Sequence, residues 1–292
     1  MQIESLKVFC DLAETESFTK TAHINGVTQS AVSQTISMLE RQFKSLLIER
    51  SKKNFRLTAE GEVFYEYSKR MLQSYGAMQS KMQGVKGVLA GEIHVATVFS
   101  IGLYDLPPYA KRFMKDYPTV KVEVAYRSAD QVYGDVLGNA VDLGLVAFPE
   151  RDAKLEIVPF RQERLVLACP PQHPLAKLKS VKLKALSGEK FVGFEPDIPT
   201  RKAVDRMLKD QGVKAEYVMQ FDNIETVKRA VEIGAGVAIL PEESIRGEVG
   251  HQTMAAVRLE GNCFRPLAVV YKKDKVLSPA MKKFIELLKE PL

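Results

Sequence analysis

Two groups of side chains in the first sixty residues carry recognisable chemistry. Between Arg41 and Arg56 lie six basic residues, Arg41, Lys44, Arg50, Lys52, Lys53 and Arg56, opposed only by Glu49. Just upstream, Gln29, Ser30, Ser33, Gln34 and Ser37 interleave with apolar Ala31, Val32, Ile36 and Leu39 at helical spacing. Concentrated cations neutralise phosphates and release condensed counterions, which is the sequence-independent part of nucleic-acid affinity. A glutamine can pair twice with an adenine edge, and a serine can serve any base. Each signal has a plain alternative, a solvated charged surface or an ordinary amphipathic helix, and the helix alone fits either reading equally. The cationic stretch placed beside that polar face favours a duplex groove.

The elements that must hold these groups can be read from caps and periodicity. Ile3, Leu6, Phe9, Cys10 and Ala13 recur at helical spacing. Ser17 opens a second short helix, Phe18 to Ile24, which Asn25-Gly26 breaks. Thr28 is placed as the N-cap of a third helix, from Gln29 to about Phe43. Residues 46–58 then offer two apolar-anchored stretches around a Ser-Lys-Lys-Asn tip, a hairpin pattern. Three helices and a hairpin make a winged helix-turn-helix.

Thr58 caps the next helix, with Glu60 and Glu62 in its first turn as the dipole favours. Its apolar positions Met71, Tyr75, Met78, Met82, Val85 and Leu89 alternate steps of four and three, a coiled-coil seam. Packing on its own domain is the alternative. Residues 58–89 are too long for so small a domain to cover, which favours pairing with a second copy. Gly84, Gly87 and Gly91 mark a boundary near 88–91.

Beyond it strands and helices alternate. Strands are expected around Ile93–Thr97, Val120–Ala125, Leu143–Ala147, Arg164–Ala168, Phe191–Phe194, Glu216–Gln220, Val237–Leu240 and Leu267–Tyr271. Helices are expected at Leu106–Tyr117, Asp130–Asn139, Thr200–Gln211, Asn223–Ile233 and Pro279–Leu288. This alternation with short links describes an open α/β sheet fold.

The totals agree with such a chain. At 292 residues and 46% hydrophobic composition it can bury more than one core, and about two domains are expected. The net charge of +6 favours a polyanionic partner only weakly. Cys10, Cys169 and Cys263 are odd in number and far apart, so neither a disulfide framework nor a structural zinc site is expected. Met1 to Cys10 has no secretory pattern, and no apolar run approaches the roughly 20 residues of a membrane span, so a cytoplasmic protein is expected. No cofactor is expected.

An enzyme on the same sheet fold is the rival from another class, but GxSxG, P-loop and post-strand GxGxxG patterns are absent. A storage or carrier module is the second rival. It leaves the basic N-terminal region unexplained.

The stretches Leu6–Ala22, Thr28-Gln-Ser-Ala-Val-Ser33-Gln-Thr-Ile36, Leu39-Glu40, Leu47-Ile-Glu-Arg50 and Leu57-Thr-Ala-Glu-Gly61 resemble the LysR-type transcriptional regulators in order and spacing. Arg164–Ala176 and Asn223–Pro241 resemble the second lobe of that family's sensor, so the likeness covers the whole chain. Lys44-Ser45 stands where the family commonly has a glycine.

The resemblance implies a winged helix-turn-helix at 1–58, a dimerising linker helix at 59–90 and a two-lobed, periplasmic-binding-protein-like α/β effector domain at 91–292. Lobe I would comprise about 91–163 and 267–292, and lobe II about 164–266. It implies a homodimer paired through Met71, Tyr75, Met78, Met82 and Val85, commonly assembled as a tetramer. Thr28, Gln29, Ser30, Ser33, Gln34 and Ser37 become contacts to double-stranded DNA, and Arg50, Lys52 and Lys53 wing or backbone contacts. RNA polymerase is a further candidate partner.

A small organic effector is expected between the lobes, beyond the carboxyl ends of strands. That points to Phe99, Ser100 and Ile101, to Val146, Ala147 and Phe148, to Phe194 through Pro199, Thr200 and Arg201, and to Phe221, Asp222 and Asn223. Ser100, Thr200 and Asn223 each fit a helix N-cap equally well. Arg201 fits either an anionic ligand or Asp205 four residues on, with the second favoured.

Overall fold

The computed structural model describes residues 2–50, 55–85, 89–273 and 275–291. Contacts divide it into two compact units, one of the first 91 residues with the short pieces 138–140 and 276–279, the other of the remainder.

In the first unit α1 (Ile3–Thr15), α2 (Phe18–Asn25) and α3 (Gln29–Phe43) precede a hairpin of β1 (Ile48–Arg50) and β2 (Phe55–Leu57), then α4 (Ala59–Val85). The helix starts follow from side-chain caps. Lys20 N donates to Ser17 Oγ, Ala31 N to Thr28 Oγ1 and Gly61 N to Thr58 Oγ1. Phe9, Leu12, Val32, Leu39 and Leu47 form the core, and Phe64 of α4 closes it against the Phe9 ring. Gly61 is required there, because a Cβ would lie 2.0 Å from the Leu47 carbonyl oxygen. Tyr65 and Lys69 of α4 both donate to Glu14 of α1.

The second unit runs β3 (Gly91–Val98), a π-turn at Ile101–Asp105, α5 (Leu106–Asp116), β4 (Val120–Arg127), α6 (Ala129–Leu137) and β5 (Leu143–Ala147). It continues through β6 (Leu155–Cys169), β7 (Ser180–Val181), β8 (Lys190–Phe194), α7 (Pro199–Asp210), β9 (Glu216–Phe221) and α8 (Ile224–Glu232). It closes with β10 (Ala238–Pro241), α9 (Arg246–Gly250), β11 (Ala255–Leu259), β12 (Phe264–Lys272) and α10 (Pro279–Leu288).

The main sheet is ordered β4-β3-β5-β12-β6-β11-β7, with β10 also paired to β6. β8 and β9 form a parallel pair, and Val237, just before β10, bridges to β8 by accepting from Val192 N and donating to the Lys190 carbonyl.

β6 is 15 residues long, where sequence alone suggests only Arg164–Ala168. Its first half pairs with β12 and its second with β10 and β11, so one strand serves both lobes. Leu165, Leu167 and Cys169 enter one core of the second lobe, while Val166 and Ala168 enter another on the opposite face. The first lobe has its own core of Ala96, Val132, Val136, Val146 and Val270.

Candidate functional site

The α3 surface follows directly from helical spacing. Val32, Ile36 and Leu39 are buried, Ala31 and Ser37 are half-buried, and Gln29, Ser30, Ser33 and Gln34 are exposed. Thr28 is exposed and also contacts the Ser30 hydroxyl. Lys52 and Lys53 lie outside the described residues, as do the side chains of Arg50 and Val85. Arg41, Lys44 and Arg56 are exposed. Glu40, not singled out in advance, is buried and accepts the Leu47 N–H at 3.1 Å, fixing the hairpin on α3.

Along α4 the apolar positions Met71, Tyr75, Met78 and Met82 are 40%, 39%, 47% and 62% exposed. Val63 and Tyr67, also exposed, extend the row toward the helix start.

In the second unit a cavity of about 260 Å³ collects the carboxyl ends of several strands. Ser100, Ala147, Phe194, Pro199, Thr200 and Asn223 line it together with Phe99. Ile101, Val146, Phe148, Arg201 and Phe221 do not. Ile101 is wholly buried. Phe148 takes a positive φ of 49° and donates its N–H to Pro266.

Arg201 is occupied by protein. Its Nε donates to Asp205 at 2.8 Å and its Nη1 to the Phe194 carbonyl and Gln220, and the guanidinium lies 3.3 Å above the Tyr217 ring centre. The wall formed by Arg127, Ser128, Ala129, Asp130 and Gln131 was not anticipated.

The three N-cap expectations divide. Asn223 caps α8, accepting from Glu225 N and Thr226 N. Ser100 does not cap: its backbone is already right-handed helical, and its hydroxyl accepts from Arg265 Nη1 at 2.9 Å. Thr200 is the second residue of α7, behind Pro199, with the uncapped Ile198 before it.

Behind Ser100 sits a buried charge cluster of Arg265, Glu163 and Asp105. Burial pushes the Asp105 carboxyl up to about 7, helped by Glu163 and opposed by Arg265 and Arg161. All three cysteines are buried and reduced; burial pushes the Cys10 thiol up to about 12 and Cys169 to about 11. Among the described residues no group of three or more acidic, histidine or cysteine side chains is placed to hold a metal. Among those residues no helix is long and apolar enough to cross a membrane.

Residues 3–62 match the family model of the bacterial regulatory helix-turn-helix protein, lysR family, and residues 86–292 that of the LysR substrate binding domain. The chain is 30% identical over 259 residues to the HTH-type transcriptional regulator CysL of Bacillus subtilis, covering 89% of this chain and 87% of that protein. The chain belongs to the LysR family.

Like other LysR-type proteins, it is a DNA-binding transcriptional regulator with an effector-binding domain. The RuBisCO operon transcriptional regulator of Allochromatium vinosum is 29% identical, over 98% of this chain and 95% of that one. Among solved LysR-type folds, a full-length OxyR variant from Pseudomonas aeruginosa superposes with a TM-score of 0.78 at 21% identity, covering 99% of this chain and 93% of that one. CbnR complexed with its target DNA gives 0.69 at 23% identity, covering 99% of each.

Proposed function

We propose that this LysR-type regulator acts as a homodimer, further assembled as a tetramer, in the cytoplasm. In this reading residues 1–58 bind duplex DNA, 59–90 pair the subunits and 91–292 sense a small organic effector. Each α3 enters a major groove with Gln29, Ser30, Ser33, Gln34 and Ser37 at base edges or phosphates. Thr28 holds the helix start, and Arg50, Lys52 and Lys53 contact the flanking backbone or minor groove. The observation that carries the DNA reading is the exposed polar face of α3 over a buried Val32-Ile36-Leu39 stripe. CbnR, whose fold the chain shares, has been solved on its target DNA.

Pairing is supported by the exposed row Val63, Tyr67, Met71, Tyr75, Met78 and Met82, which a lone helix would leave against water. Val85 continues the same spacing. The effector fills the cavity around Ser100, Ala147, Phe194, Pro199, Thr200 and Asn223 and shifts the balance between lobe arrangements. RNA polymerase is the further partner, and the chain performs no catalysis.

Filter binding of genomic fragments at low and moderate salt, with light scattering for mass, tests this reading. Salt-dependent duplex retention by a dimer or tetramer supports it, and a monomer indifferent to duplexes at low salt ends it.

A further inference from the structure

Four helical runs begin at the cavity wall: one at Phe99–Ser100, whose start also has no side-chain cap but whose Ser100 hydroxyl is held by Arg265, and α6, α7 and α8, of which α6 and α8 are closed to a ligand. At α6, Ser128 Oγ accepts from Gln131 N and Gln131 Oε1 accepts from Ser128 N, a reciprocal cap. At α8, Asn223 Oδ1 accepts from Glu225 N and Thr226 N. The start of α7 is different. Ile198 supplies no side-chain cap, Pro199 has no N–H, and the first intrahelical bond is made by Lys202 N. The Thr200 and Arg201 N–H groups are therefore left as orphan donors. Thr200 is only 5% exposed and lines the cavity, and among the described residues its hydroxyl has no hydrogen-bond partner. An uncapped helix start and an unpaired hydroxyl open to the cavity together suit a carboxylate.

The cavity rim has the opposite preference. Asp130, Asp197 and Asp222 line it from three separate segments and are all exposed. Arg127 is the one cation on the lining among the described residues, and its Nε is bound to Asp135 at 3.0 Å. A purely anionic ligand meets repulsion at this rim, and a purely cationic one meets helix-dipole donors at the base. Between them Phe99, Ala147, Phe194 and Ile198 provide an apolar wall.

On the reading that this cavity is the effector site, we propose that its ligand is a small ammonium carboxylate of the α-amino-acid class. The carboxylate sits on the Thr200 hydroxyl and the α7 donors, the ammonium faces Asp130, Asp197 and Asp222, and the side chain lies against the apolar wall. A volume of about 260 Å³, below the usual roughly 300–1,000 Å³ of drug-sized pockets, suits a molecule of that size.

The test is thermal shift and titration calorimetry on the full-length protein. The probes are the common L-amino acids, their matched L-2-hydroxy acids and their matched primary amines. At least one amino acid is expected to raise the melting temperature saturably and to bind at least tenfold tighter than its hydroxy acid and its amine. Asp197→Asn and Asp222→Asn, both at exposed positions, are expected to weaken the amino acid several-fold while leaving the hydroxy acid no weaker. Thr200→Val should weaken both, and Thr200→Ser should restore them.

A hydroxy acid binding as tightly as its amino acid, or no response to any amino acid, overturns the proposal. The sensor reading fails separately. If Ala147→Trp, which fills the cavity, left the response to a bound probe unchanged, the probe would lie elsewhere and this cavity would not be the sensor.

Discussion

Arg265 on β12 and Glu163 on β6 stand directly opposite one another in the antiparallel ladder, each almost wholly buried. Arg265 Nε and Nη2 donate to one Glu163 carboxylate oxygen at 2.9 and 2.5 Å, while Nη1 reaches Ser100 on the cavity wall. Arg265→Met strands the buried Glu163 carboxylate and is expected to cost about 3–5 kcal/mol, while Glu163→Gln is expected to cost less, about 2 kcal/mol, because Asp105 still faces the guanidinium at 3.7 Å. The double variant is expected to lie closer to wild type than Arg265→Met does, because no ion is left unpaired. Urea unfolding followed by far-ultraviolet circular dichroism measures both. Single variants within about 1 kcal/mol of wild type would contradict the assignment.

Asp105 gives the same cluster a pH dependence. Among the described residues neither of its oxygens has a hydrogen-bond partner, though Arg161 and Arg265 lie at 3.5 and 3.7 Å. Its pKa rises from an ordinary 3.8 to about 7, with burial the largest cause and Glu163 next. Between those values the native state holds a proton that the unfolded chain has released. This group's contribution therefore favours folding at low pH and falls as pH rises through the window. Asp105→Asn should flatten that slope. The measurement compares urea midpoints at about pH 5 and about pH 8, and wild type should lose more stability than the variant between them.

Lys44 closes α3 in a left-handed conformation with φ of 54°, its N–H donating to the Glu40 carbonyl. A side chain there is strained by about 1–2 kcal/mol, offset in part by the extra freedom glycine has when unfolded. Lys44→Gly should therefore stabilise the first unit by about 0.5–1 kcal/mol, read as a higher melting temperature. The same change removes a cation beside α3, so its DNA affinity should fall slightly even as stability rises.

Duplex binding separates positioning from reading. Lys52→Ala or Lys53→Ala should weaken all duplexes alike and reduce the salt slope by about one unit each. Gln29→Ala should instead change the ratio of native to scrambled operator binding. An unchanged ratio would remove Gln29 from base recognition.

The parts of the fold that were legible are those with short-range causes. Thr28 and Thr58 announce their helices because a hydroxyl before an apolar-periodic run has one obvious use, and both caps form. Gly61 belonged to a recognisable motif, but its cause, the Leu47 carbonyl against α4, is a tertiary contact. The length of β6 was hidden because Pro159, Arg161, Gln162 and Glu163 interrupt its apolar pattern. Only pairing with β12 makes that half a strand, and Glu163 is buried only because Arg265 neutralises it.

At the cavity, the rule that ligands lie beyond strand carboxyl ends located Ser100, Ala147, Phe194 and Asn223. Arg127–Gln131 obey the same rule at the end of β4. They were missed because β4 extends to Arg127, two residues past the expected Ala125. Ser100 and Thr200 resemble caps in sequence, yet a π-turn and a leading proline assign them other work.

The position of β12 between β5 and β6 also sets an order of events during synthesis. β7 to β11, with the helices among them, leave the ribosome before β12 does, so the second half of the sensor can assemble while the first still lacks a central strand. Until Phe264–Lys272 emerges, the facing edges of β5 and β6 remain open to pairing with a foreign strand. A chain cut short before residue 264 would keep that gap permanently, which makes late nonsense mutations more damaging than the small number of residues they remove suggests.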